Sequence, residues 1–399
     1  MTRAASVAEI LRELVAIPSP SAVSNLPLLQ WVAAYLESLG WRIEWLKWID
    51  DAGIEKANLI ARPGNAASHA TNDALTDAPI DLAFICHTDT VPYATDWPDA
   101  LKLRELDGNL HGCGACDVKG PLACFLAAAA TIQSSSTRVA LILTADEEVG
   151  CKGMERLIAS PQFAGLRIGS AIVSEPTSLR PGIAGKGYGL ARISVEGREA
   201  HSAFPQQGVS AISIAARLIV HIEEHRVTPR TSALSNEDTS LRSLFDPPQT
   251  TLNIGVISGG TAKNILAREC SFLVEWRALP GEPLGSVQAT LQAIAEEAQR
   301  AAPGAKIRVE GLRDEPGFAP ATSGSLQSQL AGLLPGEPLG ISLPVGISFG
   351  SEATRMTRIA DEVIVIGPGD MRTAHSDREC VPVAELEMWT RVLAELISG

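Results

Sequence analysis

The sequence predicts an α/β fold with a mixed, mostly parallel sheet, and an inserted α+β domain of the ferredoxin-like kind. In the first part of the chain, apolar runs typical of buried strands alternate with helical segments, which indicates a parallel sheet. After residue 182 the order becomes strand, helix, strand, strand, helix and strand, the split βαβ arrangement. The 399 residues also exceed one ordinary domain. We therefore predict a discontinuous domain over residues 1–182 and 317–399, interrupted by a second domain over residues 183–316.

The elements of the first domain follow from apolar spacing and from residues that end helices. Apolar residues at helical spacing predict a helix over residues 6–16, ended by Pro18. A second predicted helix over residues 28–39 has Gly40 as its C-terminal stop. The next predicted elements are strand 80–89, helix 120–133, strand 138–146, helix 154–160 and strand 170–176. After residue 317 the domain resumes and ends with a strand within residues 361–370 and a helix over residues 383–397.

The inserted domain shows a different pattern. Residues 188–197 alternate apolar and polar side chains, as expected of a strand with one exposed face. A long amphipathic helix is predicted over residues 208–225. The remaining predicted elements are strands 250–260 and 265–279, helix 286–301 and strand 306–311. A one-sided antiparallel sheet of this kind leaves an edge or a face that can pair with a second copy of the chain.

Composition argues against several classes of function. The 33 basic and 46 acidic residues give a formal charge of −13, which disfavours a nucleic-acid partner because phosphate backbones require basic surfaces. Glu9, Arg12 and Glu13 interrupt the N-terminal apolar positions, so we expect no secretory signal. The apolar run Leu122–Ala130 is too short to cross a membrane. Seven cysteines, an odd number, favour reduced thiols and a cytoplasmic location.

Five segments carry side chains suited to metal-dependent hydrolysis. This chemistry needs imidazole and carboxylate ligands, and a carboxylate that accepts a proton from water. The candidates are His87 and Asp89 in HTD, Asp117 in GACDVKGP, Glu147 and Glu148 after ALILTA, Glu175 in VSEPT, and His375 in GDMRTAHSDRE. Side-chain alternation places His87 and Asp89 on one side of their strand, so the Asp89 carboxylate could orient the imidazole.

Each candidate alone has an ordinary structural explanation as a turn former, a helix start or an exposed loop residue. Several of them, however, directly follow apolar strand runs. Open α/β sheets bind their ligands at these strand ends. The joint occurrence of the candidates therefore favours a single metal site.

The segments HTDTVP, GCGACDVKG, ADEEVG, SEPTS and AHSDRE resemble, in order, the five metal-site motifs of the M20 family of dinuclear metallopeptidases and deacylases. The resemblance covers nearly the whole chain and implies a zinc-peptidase-like catalytic domain with an inserted dimerisation and lid domain. It also implies two divalent metal ions, Zn²⁺ or alternatively Co²⁺ or Mn²⁺. The resemblance implies that Asp117 bridges the two ions. It implies that His87 and Glu175 bind one ion and that Glu148 and His375 bind the other. Glu147 would then be the general base, and Asp89 would support His87.

The inserted domain carries three further matches to the family. His201, in EAHSAFPQQGVSAI, resembles a histidine that enters the active site of the partner subunit in a homodimer, where it could stabilise an oxyanion. Asn264, in GGTAKN, resembles a polar clamp on the substrate. Arg277, in WRALPG, resembles the residue that grips the α-carboxylate of the substrate. His201 could instead cap the helix that follows it, and Arg277 could form an internal ion pair.

The resemblance implies hydrolysis of the amide bond of a small N-acyl amino acid. The segments PTSLRPGIAGKGYGLARISVEG and FGSEATRM favour N²-acetyl-L-ornithine, which would yield ornithine and acetate for arginine synthesis. Succinyl-diaminopimelate or another N-acyl amino acid stays open as the substrate. Two other classes compete: a redox protein built on Cys113 and Cys116, and a catalytically silent homologue that binds amino-acid derivatives. The presence of Glu147 and of all five ligands argues against the silent homologue.

Overall fold

The fold consists of two compact units. The computed structural model describes residues 5–64, 79–132, 137–227, 236–336 and 343–399. The first unit comprises Met1–Ile183, Pro320–Val345 and Ser351–Gly399, and the second comprises Ala184–Ala319 and Gly346–Gly350. Residue 133, at the end of the predicted helix 120–133, lies outside the described residues. In the part of the chain that the structure describes, no helix combines the length and the apolar character needed to cross a bilayer.

The secondary structure is numbered here in chain order. The strands are β1 Trp41–Ile49, β2 Glu55–Pro63, β3 Ile80–His87, β4 Arg104–Leu106, β5 Asn109–His111, β6 Val139–Thr144, β7 Ile168–Val173, β8 Gly182–Gly185, β9 Tyr188–Glu196, β10 Thr251–Gly259, β11 Glu269–Arg277, β12 Lys306–Glu315, β13 Val345–Ile347, β14 Ala360–Val365 and β15 Cys380–Pro382. The α-helices are α1 Val7–Ala16, α2 Leu26–Ser38, α3 Lys119–Ala129, α4 Lys152–Ala159, α5 Ala211–Val227, α6 Asn236–Ser243, α7 Ser286–Ala301, α8 Leu326–Leu333, α9 Ala353–Met356 and α10 Val383–Ser398.

The first unit is built on a mixed sheet whose centre is parallel. Six strands that lie entirely in this unit follow the order β1-β2-β6-β3-β7-β14. The neighbours β6 and β3, β3 and β7, and β7 and β14 run parallel, whereas β1 and β2 pair antiparallel at one edge. Strands β3 and β6 are buried along almost their whole length, as central parallel strands are. The predicted mixed, mostly parallel sheet is therefore confirmed.

Helices α1, α3 and α10 pack together in this unit. Helix α1 begins with a capping box, in which the Ser6 hydroxyl accepts a hydrogen bond from the Glu9 amide and the Glu9 carboxylate accepts one from the Ser6 amide. Helix α3 is buried on every side, which explains why its sequence is apolar all round. The site loop between β5 and α3 is thus attached to a helix that has no exposed face.

The second unit has the predicted ferredoxin-like arrangement. Its strands pair antiparallel in the order β10-β11-β9-β12, with helices α5 and α7 in the two crossover connections. The helices and the inward side chains of β9 and β11 share one apolar core. The buried Trp276 of β11 lies against Gly189 of β9, where any side chain would collide with the indole ring. Glycine at residue 189 thus makes room for the large tryptophan.

Several elements were not predicted from the sequence. They are the antiparallel hairpin of β1 and β2, the small sheet of β4, β5 and β15, the short strands β8 and β13, and the short helices α6, α8 and α9. The hairpin matters for the site because β2 pairs with β6, the strand that precedes Glu147.

Candidate metal centre

The predicted metal ligands lie at one edge of the sheet in the first unit. His87 is the last residue of β3, and Glu175 follows β7 by two residues. Glu148 lies in the turn after β6 and His375 in the loop after β14. These four strands are parallel neighbours, so the loops after their carboxyl ends meet at the same edge. Asp117 reaches this edge from the turn that precedes α3.

The Asp117 carboxylate stands between two histidines. Its Oδ1 lies 3.0 Å from Nε2 of His87, and its Oδ2 lies 3.1 Å from Nε2 of His375. The same His375 nitrogen lies 3.0 Å from Oε1 of Glu148. Ligand atoms of His87, Asp117 and Glu148 all fall within 4.8 Å of one another. Because the two oxygens of Asp117 face different imidazoles, this carboxylate is placed to serve two neighbouring positions.

His87 is oriented by the main chain of Asp89 rather than by its carboxylate. Nδ1 of His87 donates to the Asp89 carbonyl at 2.9 Å, whereas the nearest Asp89 carboxylate oxygen is 3.8 Å from Nδ1. The carboxylate instead accepts hydrogen bonds from the Glu147 amide at 3.0 Å and the Glu148 amide at 3.3 Å. Ser21 donates a further hydrogen bond to it, at 2.7 Å. The predicted contact is thus corrected: Asp89 orients the imidazole through its backbone and holds the Glu147–Glu148 turn through its side chain.

The electrostatics of the cluster fit a cation site. Burial raises the pKa of Glu147 to about 8, an effect that His87 opposes and that the charge of Glu148 reinforces. Burial and the charge of Asp117 raise the pKa of Glu175 well above its usual value. Burial also opposes ionisation of Asp117, but hydrogen bonds from His375 and His87 outweigh it and hold the pKa of Asp117 below the ordinary value.

Buried carboxylates this close together repel one another, and divalent cations placed among them would remove the repulsion. Imidazole and carboxylate oxygens are also the ligand types that Zn²⁺ and similar ions accept. The residues present therefore fit a metal site, and the ligand set offers enough atoms for more than one ion.

Glu147 has a neighbour that sequence interpretation did not single out. The thiol of Cys151 donates to Oε1 of Glu147 at 3.4 Å, and Cys151 is itself buried. Cys151 adopts a left-handed backbone conformation with φ of 54°, which is uncommon for a residue other than glycine. The turn thus holds Glu147 by its side chain as well as by its amide.

Other supporting residues were also missed. Lys56 of β2 forms a buried ion pair of 2.7 Å with Asp146, directly before Glu147. Glu379, four residues after His375, accepts hydrogen bonds from backbone amides of the Asp117 loop. Glu379 belongs to the quoted segment AHSDRE, so the sequence offered a signal for it, although not for its partner.

The predicted catalytic His201 and the two predicted substrate residues, Asn264 and Arg277, lie in the second unit. His201 and Asn264 come from adjoining backbone segments, since His201 forms a β-bridge with Ile265 and the Asn264 carbonyl accepts a hydrogen bond from the Ser202 amide. The imidazole of His201 is exposed, and its Nδ1 accepts a hydrogen bond from the Ala203 amide. Among the residues that the structure describes, no hydrogen bond joins the His201 ring to the start of α5, and its Nδ1 is engaged within its own turn instead.

Arg277 lies at the end of β11 and makes an internal ion pair. Its Nε lies 2.9 Å from Oε1 of Glu275, and its guanidinium stacks over the ring of Tyr188 at 4.6 Å from the centroid. The side chain is still 28% exposed. Arg277 therefore forms the internal ion pair that the sequence left open as an alternative. The exposed part of its guanidinium is still accessible to a carboxylate.

Cys113 and Cys116, the two cysteines of the C-x-x-C segment, have the properties of structural cysteines. Burial raises the pKa of the Cys113 thiol to about 11 and that of Cys116 well above its usual value. Redox-active cysteines require a lowered pKa, because the thiolate is the reactive form. All seven cysteines fall in the described residues, and all are free thiols.

The chain is similar to known proteins in sequence and in fold. The family model "Peptidase family M20/M25/M40" matches residues 83–399. An acetylornithine deacetylase from Myxococcus xanthus is 41% identical over 389 residues, which cover 97% of this chain and 96% of that protein. A tripeptidase from Staphylococcus aureus has a similar structure, with a TM-score of 0.75, 20% identity, and coverage of 98% of this chain and 97% of the other. An M20 family metallo-carboxypeptidase from Sulfolobus solfataricus gives a TM-score of 0.72, 16% identity and coverage of 99% of both chains.

Proposed function

The chain belongs to peptidase family M20/M25/M40 and is a hydrolase of amide bonds, and on this premise we propose that it deacetylates N²-acetyl-L-ornithine to ornithine and acetate. The observation that carries the chemistry is the Asp117 carboxylate, whose two oxygens face different histidines. The substrate is supported by the 41% identity to the Myxococcus xanthus acetylornithine deacetylase over nearly the whole length of both chains. This product would place the enzyme in arginine biosynthesis.

Two divalent ions would be held by the five predicted ligands. Asp117 would bridge them, His87 and Glu175 would complete one site, and Glu148 and His375 the other. Zn²⁺ is the ion we propose, with Co²⁺ as the alternative, since a site of imidazoles and carboxylates accepts both. When bound, such ions supply positive charge that polarises the substrate carbonyl and makes a water molecule acidic near neutral pH.

Glu147 is the general base and later the general acid in this proposal. Its carboxylate accepts the proton of the attacking water and passes it to the departing amine. The amide bonded to Asp89 and the thiol of Cys151 fix the direction of the Glu147 side chain, so the proton acceptor does not have to be ordered at each turnover. Asp89 acts as a positioning residue for both Glu147 and His87.

The second unit would supply the substrate contacts as a lid. Arg277 would receive the α-carboxylate through its exposed portion, and Asn264 would donate a polar contact. His201 would stabilise the oxyanion of the tetrahedral intermediate in the partner subunit of a homodimer. Pairing through the second unit is supported by the outermost strand β10, where Val256 and Ile257 are 57% and 54% exposed. The free thiols support a cytoplasmic location.

The test measures bound metal and then amine release from a panel of N-acetyl and N-succinyl amino acids, before and after chelation. We expect two ions per chain, metal-dependent release, and acetylornithine as the preferred member. Glu147→Gln should lower kcat at least about a hundredfold while both ions stay bound, because it removes the proton acceptor and no ligand. Glu105→Gln, at an exposed position of β4, is the matched control and should behave as the unaltered enzyme.

Each other outcome points to a different conclusion. Preference for succinyl-diaminopimelate or another acyl amino acid would keep the mechanism and change the pathway. A folded protein that binds ligand but releases no amine would support the silent homologue. For His201, mixed dimers of His201→Ala and Glu147→Gln chains should regain activity at one of their two sites. Absence of rescue would contradict its action in the partner subunit.

A further inference from the structure

The loop that carries Asp117 is attached to a single buried glutamate. Oε2 of Glu379 accepts a hydrogen bond from the Gly114 amide at 2.9 Å. Oε1 accepts from the amides of Cys116 and Asp117, both at 3.1 Å. The Glu379 carbonyl also accepts a hydrogen bond from the Gly112 amide at 3.3 Å. Four amides within six residues of this loop therefore point at one residue.

The chemistry of this contact suits a carboxylate. Glu379 is 3% exposed, so water does not replace these hydrogen bonds. A carboxylate has two acceptor oxygens and no donor, which matches three converging N–H groups. Gly114 allows the loop to turn, because its φ of 75° is a left-handed conformation and a side chain there would press against Lys119 and Thr90. Loop and carboxylate are therefore complementary in shape and in charge.

The position of Glu379 in the chain links the loop to another proposed ligand. His375 lies four residues earlier in the same segment, and its imidazole contacts Oδ2 of Asp117. One short segment thus holds the Asp117 backbone through Glu379 and meets the Asp117 side chain through His375. The segment that contains His375 and Glu379 consequently holds both the backbone and the carboxylate of Asp117.

We propose that Glu379 is a positioning residue for the metal centre: it sets the direction of the Asp117 carboxylate so that its two oxygens reach both ions. The inference rests on the proposed function insofar as Asp117 bridges the ions. Glu379 touches neither substrate nor reacting atoms, and it acts through the loop. Without it, Asp117 would remain in the sequence but its two oxygens would no longer be directed at separate positions.

A second buried glutamate provides a matched control. Glu362 of β14 is 5% exposed and accepts hydrogen bonds from the Leu326 and Gln327 amides at 2.9 and 3.0 Å. It also accepts a hydrogen bond from the Ser170 hydroxyl at 2.9 Å. Like Glu379, Glu362 is a buried glutamate that accepts hydrogen bonds from backbone amides. Its partners lie at the start of α8, and it contacts none of the proposed ligands.

The experiment compares Glu379→Gln and Glu362→Gln with the unaltered chain. Apoprotein is titrated with Zn²⁺ against a chelating dye, and the Co²⁺ form is examined by its visible absorption spectrum. An amide at residue 379 keeps one acceptor oxygen and turns a donor toward the N–H groups. We therefore expect Zn²⁺ affinity to fall about 10- to 100-fold and the Co²⁺ spectrum to change. Glu362→Gln should lower thermal stability without altering affinity or spectrum.

Three results are distinguishable. If the unaltered chain does not bind two ions, the proposed function fails. If it binds two and Glu379→Gln binds them equally well with the same Co²⁺ spectrum, the positioning role is overturned. Should Glu379→Gln not fold, Glu379→Asp decides instead, since it keeps the charge but withdraws the acceptor by one methylene. An intermediate loss of affinity supports the role, and unchanged affinity contradicts it.

Discussion

The proposed ligands of the candidate metal centre form two halves, which the fold holds in place in different ways. His87 and Glu175, here called the strand half, lie at or within two residues of a parallel strand, and the His87 side chain is 2% exposed. Glu148 and His375, the loop half, lie further along the connections after β6 and β14. His375 has a left-handed backbone with φ of 58°, and its side chain is 48% exposed.

The difference shows two ways of placing a ligand. Sheet pairing fixes the strand half directly, since β3 has a parallel neighbour on each side. The loop half depends on side-chain contacts, chiefly from the Asp89 carboxylate to the amides of Glu147 and Glu148 and from the Lys56 ammonium to the Asp146 carboxylate. We therefore expect the loop half to be more easily disturbed by changes outside the ligand set.

The largest effect is expected where the two halves meet. Asp117→Asn removes the charge shared by both ions, so both should be lost on dialysis and kcat should fall at least about a thousandfold, about 4 kcal/mol. Metal analysis and kinetics check this. Asp81→Asn, at the opposite end of β3, is the control and should retain both ions. Retention of two ions by Asp117→Asn would show that the halves do not depend on this carboxylate.

A smaller effect is expected from the support of the loop half. Lys56→Met leaves the buried Asp146 without its cation and should lower the free energy of unfolding by about 3 kcal/mol. Adding Asp146→Asn should recover most of this loss, because asparagine also tolerates the φ of 58° at this residue. Denaturant unfolding of the two single variants and the double variant measures the coupling.

The control for Lys56→Met is Arg138→Met, which breaks the exposed ion pair with Asp81 and should leave the unfolding midpoint unchanged. Equal effects of Lys56→Met and Arg138→Met would contradict the view that the loop half depends on a buried pair.

The two histidines give the most direct contrast. In chelator-treated protein, His87→Ala should cost about 2 kcal/mol of stability because it opens space in a packed strand end. His375→Ala should cost less than His87→Ala, because the imidazole is half exposed and its loss still leaves Asp117 with His87 as a partner. Thermal and denaturant unfolding test the pair, and metal analysis should find one tight ion left in His375→Ala. Equal destabilisation by both would erase the distinction between the halves.

Much of the fold followed from periodicity, and the failures have physical causes. Strands β3 and β6 were predicted because buried parallel strands are continuous apolar runs. The hairpin of β1 and β2 was missed, although Trp41, Ile43 and Trp45 alternate with polar residues along β1. Its place at the edge of the sheet is set by pairing of β2 with β6, which lies about eighty residues later in the chain.

For the site, too, the sequence predicted local features but not contacts between distant residues. Residue types and their place after strands predicted which side chains gather, because parallel strands bring their ends to one edge. Alternation failed for Asp89, since β3 ends at His87 and the side-chain period does not continue beyond the strand. The contact of Glu379 with the Asp117 loop joins residues 262 apart, and no local pattern in the sequence reports such a pairing.

The place of β14 in the sheet has a consequence for the order in which the protein can be assembled. As the ribosome works from the N-terminus, β7 is made long before β14, and the whole second unit is made between them. Until β14 arrives, β7 presents an open edge of unpaired backbone groups, which is a hazard for association with other chains. His375 and Glu379 are made later still. The metal centre can therefore close only after nearly all of the chain has been synthesised, and the nascent first unit has to protect that edge in the meantime.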